Sequence, residues 1–97
     1  MPLTLKEVRK IALSLANVEE GTSYGTPAFK VDDRLLARLR EHGESLVVVT
    51  TFEERGEMMA AQPETYCITE HYLKYPWVLV RLLPVRSDSL RDLLRLP

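Results

Sequence analysis

Ninety-seven residues make one domain (1–97) with no room for a second core, and a chain of this size buries roughly 65% of its unfolded surface, enough to fold without metal or disulfide staples. With 45% hydrophobic and 28% charged residues the composition is that of an ordinary globular chain rather than a disordered one, and no apolar run approaches the roughly 20 residues of a membrane span. The net charge of −1 excludes a global attraction to nucleic acid or anionic lipid, and the lone Cys67 excludes an internal disulfide.

The N-terminal wording, Met1-Pro2-Leu3-Thr4-Leu5-Lys6-Glu7, lacks the basic-then-apolar pattern of a signal peptide, so the expected setting is a reducing cytoplasm. Thr4-Leu5-Lys6-Glu7 is a capping box opening a helix over about 5–16. Leu5, Val8, Ile11, Ala12 and Leu15 form its apolar stripe, and Asn17 suits its end.

The most unusual wording comes next, from Glu19-Glu20-Gly21 through Thr22, Ser23, Tyr24, Gly25, Thr26, Pro27, Ala28, Phe29 and Lys30 to Val31. Gly21 and Gly25 permit positive φ, and Pro27 holds Thr26 extended, so the stretch reads as a connection into a first strand at Ala28–Val31. Asp32-Asp33 turns the chain into Arg34–Glu41, which alternates. His42-Gly43 turns it again into Glu44–Thr50, rich in β-branched residues. Thr51-Phe52-Glu53-Glu54 is a second capping box, opening a helix to about Ala61 with acids where the macrodipole favours them; Gly56 weakens it. A short strand at Tyr66–Thr69, a loop from Glu70 to Pro76, a strand at Trp77–Leu82 and a closing helix capped by Ser87 complete the order α-β-β-β-α-β-β-α. The expectation is an α+β domain with an antiparallel five-stranded sheet packed against helices.

Two-residue turns pair Val31 with Arg34, Phe29 with Leu36, Arg38 with Val47 and Glu41 with Glu44. One face then carries Leu35, Ala37, Leu39, Leu46 and Val48, with Val78, Val80 and Leu82 of the last strand, and meets the helices. The second face carries Phe29, Leu36, Arg38, Arg40, Val47 and Val49, with Trp77, Leu79 and Arg81. Such a mixed face is either covered, with arginine stems lying along apolar surface, or an open binding platform. The same register turns Lys30 toward the helices, so either Lys30 snorkels at an edge or the first turn is longer.

No catalytic constellation stands out. Cys67 and His71 lack a third, orienting group; Glu19-Glu20 reads as solvated; and two histidines with one cysteine do not make a metal site by spacing, so neither a metal nor a cofactor is expected. The glycines of 21–25 precede a strand rather than the helix N-terminus that a phosphate loop needs. Arg38, Arg40 and Arg81 with Lys30 and Trp77 are the candidates for holding nucleic acid, phosphates on the cations and a base on the indole. Two other readings stand beside it. One is a protein-interaction adaptor using the mixed face or the acidic second helix, in a stretch (51–70) that holds Glu53, Glu54, Glu57, Glu64 and Glu70 against Arg55 alone. The other is a small-ligand site around Tyr24, Thr26, Lys30 and Trp77.

The Glu19–Val31 wording, Tyr75-Pro76-Trp77-Val78 before the last strand, Leu13-Ser14-Leu15-Ala16-Asn17-Val18 and Leu90-Arg91-Asp92-Leu93-Leu94 resemble the MmcQ/YjbR family of small bacterial proteins over nearly the whole chain. The matching motif positions are Gly25, Thr26, Pro27, Phe29, Lys30 and Trp77; Asp32-Asp33 stands where that family often has glycines. The resemblance implies an α-β(3)-α-β(2)-α fold, similar to the frataxin-like and secretion-chaperone-like arrangement, and a DNA-binding label. The expected function is therefore that of a non-enzymatic cytoplasmic domain, monomeric or weakly dimeric, that binds nucleic acid or another protein.

Overall fold

Helix α1 (Leu5–Leu13) opens the fold in the computed structural model, which describes residues 3–23, 25–40 and 43–95. The expected box is formed: the Thr4 hydroxyl accepts from the Glu7 amide at 3.3 Å, and the Glu7 carboxylate accepts from the Thr4 amide at 3.2 Å. Ser14 closes the helix, earlier than its spacing predicts, and Asn17 (φ +64°) turns the chain out. The chain then enters a strand, β1 (Val18–Ser23), hairpinned to β2 (Thr26–Val31) through a two-residue connection in which Gly25 takes φ +79°. The glycine-rich wording is thus a hairpin rather than a connection between helix and strand.

Strands β3 (Arg34–Leu39) and β4 (Ser45–Val49), helix α2 (Phe52–Ala61), β5 (Tyr66–Cys67), a 3-10 turn at Glu70–Tyr72, β6 (Trp77–Arg81) and α3 (Ser87–Arg95) complete the chain. The class is α+β as expected, with six strands rather than five because β1 joins the sheet. All pairs are antiparallel, in the order β1-β2-β3-β4-β6-β5.

Asp32 and Asp33 (φ +51° and +64°) make the expected two-residue turn, pairing Val31 with Arg34. The register then departs from the alternation: Lys30 pairs with Leu35 but Phe29 with Ala37, leaving Leu36 as the extra residue of a β-bulge. The bulge corrects four placements, among them Leu35, which pairs with Lys30 and leaves the helix side with it. Phe29, fully buried, turns to the helices; Leu36 packs there too; and Lys30 goes to the opposite face. Neither a longer turn nor a snorkelling lysine is needed. Beyond the bulge the expected pairing of Arg38 with Val47 is present, whereas the pairing of Glu41 with Glu44 lies outside the described residues.

The helices cover one face. Val8, Ile11 and Ala12 of α1 and Leu90, Leu93 and Leu94 of α3 close over Phe29, Ala37, Leu46, Val48, Val78 and Val80. Each fully buried aliphatic side chain there contributes about 1.5–3 kcal/mol relative to an exposed one. An ion pair from Arg9 to Glu20 at 2.7 Å ties α1 to β1 across the surface. Helix α2 is different: its Thr51 hydroxyl accepts from the Glu54 amide at 3.0 Å, but the Glu54 carboxylate turns to the Thr50 hydroxyl at 3.1 Å, so the box is only half made. It lies beside β5 and β6 with no fully buried side chain, only Met58 and Met59 packing partly against the core.

Candidate functional site

Alternation along β3, β4 and β6 sends Arg38, Val47 and Leu79 to the face away from the helices, with Arg40, Ser45 and Arg81 toward one end and Val49 and Trp77 toward the other. Lys30 joins that face through the bulge, directly across from Glu19 of β1. The five basic-aromatic candidates therefore do share one side of the sheet.

They do not share one open surface. The segment between β5 and β6 folds back over the middle of this face, and Tyr72 packs against Val47 and Leu79 with Cys67, Ile68 and Trp77 around it. Arg38 is only 4% exposed, and its Nη2 donates to the Tyr72 hydroxyl at 2.7 Å. A phenol here accepts from a cation that burial would otherwise leave costly. Arg40 stands at the border, its guanidinium carbon 5.9 Å from the centre of the Tyr72 ring. Its Nε is shielded from solvent and has no hydrogen-bond partner among the described residues. Arg81 is exposed and donates one long bond, 3.5 Å, to the Glu64 carbonyl. Among the described residues Lys30, Arg40 and Arg81 have no carboxylate within ion-pair distance.

Trp77 stands apart from the arginines, half-buried, its ring stacked on Tyr75 at 4.6 Å and 18° and tilted against Tyr72 at 5.5 Å. A residue that the sequence did not single out holds this group in place. Arg55 of α2 donates to the carbonyls of Leu73 at 3.3 Å, Tyr75 at 2.8 Å and Trp77 at 3.2 Å, and its guanidinium lies 4.9 Å from the Phe52 ring centre. One signal was available: Arg55 is the lone cation among the glutamates of residues 51–70, three positions from an aromatic, the spacing at which helical side chains meet.

The motif positions have structural work. Gly25 supplies the positive φ of the β1–β2 turn, Phe29 is core, and Pro27 lies next to the start of β2, opposite Thr22. Thr26 opens β2 and Lys30 is its next-to-last residue, and Trp77 lies three strands away from both, so these members of the small-ligand reading do not converge; its fourth member, Tyr24, lies outside the described residues. A cleft of about 860 Å³ opens elsewhere, on the helix side, between the end of α1, the β2–β3 turn and the end of α3, with Leu15, Val18, Val31 and Leu36 among its walls. His71 packs edge-on to Tyr72 at 4.9 Å, and no group of three or more His, Cys, Asp or Glu able to hold a metal occurs among the described residues. No helix among them is long and apolar enough to cross a membrane.

A family model described as YjbR matches residues 13–96. The chain is also similar to a solved structure, the crystal structure of Deinococcus radiodurans protein DR2400 with the family-model domain DUF419. The TM-score is 0.78 and the identity 26%, covering 95% of this chain and 73% of that one. No curated protein matches it.

Proposed function

Since this chain belongs to the YjbR family, we propose that it is a non-enzymatic cytoplasmic binding domain, monomeric or weakly dimeric, that holds nucleic acid along the basic rim of the second sheet face. The supporting observation is that Arg40 and Arg81 flank Ser45 on adjacent strands with no carboxylate partner among the described residues, while Arg38 adds fixed positive charge behind them. Phosphates neutralised by such a row release counterions, so affinity falls with salt. Lys30, paired with Leu35, lies at the Trp77 end of the face, beyond the centre that Tyr72 covers, and is not part of this pair. Trp77 sits at the far end with its ring already stacked on Tyr75, so it is not assigned a base. The domain thus reads backbone charge rather than sequence.

The test is anisotropy of labelled single- and double-stranded DNA and RNA against salt. Binding is expected with a log–log slope near −2, roughly one unit per phosphate contact, and Arg40→Ala and Arg81→Ala should each reduce it by about 1 while Trp77→Phe leaves it unchanged. Affinity weaker than about millimolar at low salt, or no slope, overturns the reading.

The sheet-face form of the adaptor reading has less open surface to use, because Tyr72 covers the centre of that face. Its second form, through α2, is favoured by a helix without a fully buried side chain that lies beside exposed aromatic residues.

A further inference from the structure

Phe52, Leu73 and Tyr75 are each about half exposed, at 53%, 53% and 48%. They are not scattered. Arg55 binds the carbonyls of Leu73 and Tyr75 and lies over the Phe52 ring, and Tyr75 stacks on Trp77, so four apolar side chains from α2 and the 73–77 segment are gathered around one guanidinium. Aromatic residues with an arginine, held rigid before any partner arrives, match the composition of interface hot spots. The rim is acidic. Glu53 and Glu57 stand together on one side of α2, a turn apart and round the helix from Phe52, and Glu70 precedes Leu73 by three residues; all three are exposed and without an ion-pair partner among the described residues. Lys74 is the one exposed cation within the segment, since the Arg55 guanidinium is already committed to carbonyls. Next to Phe52 along the outer side of α2, one turn at a time, come Gly56 and Ala60, both exposed; a Cβ at Gly56 would meet nothing within 4 Å, so nothing inside the chain requires a glycine there.

We propose that the aromatic surface around Arg55 docks a basic amphipathic segment of another protein, its apolar anchors on Phe52, Leu73 and Tyr75 and its lysines or arginines against Glu53, Glu57 and Glu70. The charge of the rim selects the sign of the partner: an acidic segment, a nucleic acid or an anionic membrane would bring like charge against unpaired glutamates. This deepens the adaptor reading through α2 and is independent of nucleic-acid binding at the opposite rim.

The test uses three synthetic helical peptides without tryptophan: one with leucine anchors at i, i+3, i+4 and i+7 and lysines elsewhere, one with glutamates in place of the lysines, and one with serines in place of the leucines. The single Trp77, stacked on Tyr75, reports docking through its emission, and fluorescein-labelled peptide gives the affinity. The lysine-leucine peptide is expected to bind with Trp77 responding, to weaken with salt, and to lose about tenfold or more with Phe52→Ala or Tyr75→Ala. The doubly reversed Glu53→Lys, Glu57→Lys protein, altered only at exposed positions and checked for folding by circular dichroism, should lose that peptide and gain the glutamate one. Equal binding of both leucine peptides overturns the charge assignment while leaving the adaptor reading standing. Failure of all three peptides to perturb Trp77 overturns both, and concentration-dependent self-association with no peptide response assigns the surface to a second copy and overturns the proposal.

Discussion

The Tyr72 hydroxyl accepts a 2.7 Å hydrogen bond from a guanidinium that is itself buried, so phenylalanine at 72 would remove an acceptor where water does not easily replace it. Tyr72→Phe is expected to cost about 1–3 kcal/mol, read as a lower urea midpoint; an unchanged midpoint would mean that solvent supplies the acceptor. Arg55→Lys keeps the charge but cannot span three carbonyls with a planar fork, so it should cost about 1 kcal/mol and shift Trp77 emission toward that of an exposed indole. Tyr66 carries a pH dependence. Burial raises its hydroxyl above the ordinary tyrosine value, because the phenolate is disfavoured inside the fold. The unfolded chain therefore releases that proton first, and the stability tied to the neutral phenol, full below about pH 10, falls as pH rises further. Urea midpoints at pH 8 and pH 10.5 should show a larger drop for the wild type than for Tyr66→Phe; equal drops would contradict it. At this scale Arg38, Arg40, Trp77 and Arg81 were legible because alternation assigns sides without knowing partners. Tyr72 was not, because it meets Arg38 from 34 residues away, and no local pattern encodes that contact.

Strand β1 escaped a reading based on periodicity because Glu19-Glu20-Gly21-Thr22-Ser23 has no apolar alternation. It is an edge strand whose pairing is carried by backbone hydrogen bonds to β2, and polar residues are tolerated there. The bulge at Leu36 escaped for a related reason: strict alternation assumes a regular ladder, and one extra residue reverses every assignment on its far side. That one residue accounts for Phe29, Lys30, Leu35 and Leu36 together. Element geometry supports two substitutions. Gly56 is a helix-interior glycine with open space around it, so Gly56→Ala should stabilise the fold by up to about 1 kcal/mol, seen as a higher melting temperature. Asp33 holds φ +64° at the second turn position, where glycine is the favoured residue, so Asp33→Gly should be neutral or stabilising despite the added freedom of the unfolded chain. A clear loss on either substitution would show a contact that the backbone geometry does not suggest.

At the scale of the molecule, the larger of the two cores lies on the helix side of the sheet. Leu90 is fully buried between α3 and the strands, and Leu90→Ala should cost about 2–5 kcal/mol, a large part of the 5–15 kcal/mol typical of a domain. A urea midpoint that barely moves would mean that α3 is peripheral. The sequence by itself determined the α+β class, the helices, the central antiparallel pairing and the side of the sheet taken by the arginines, because capping, turn residues and period-two burial are local and act within a few residues. Family membership was legible in the same way, through the wording of Glu19–Val31 and Tyr75–Val78. Only the tertiary structure decided that the second face is closed at its centre by Tyr72, that Arg38 is interior and Arg81 exterior, and that Arg55 gathers an aromatic surface beside α2. Those outcomes depend on where the 68–76 segment folds back, and that is set by contacts between residues far apart in the chain.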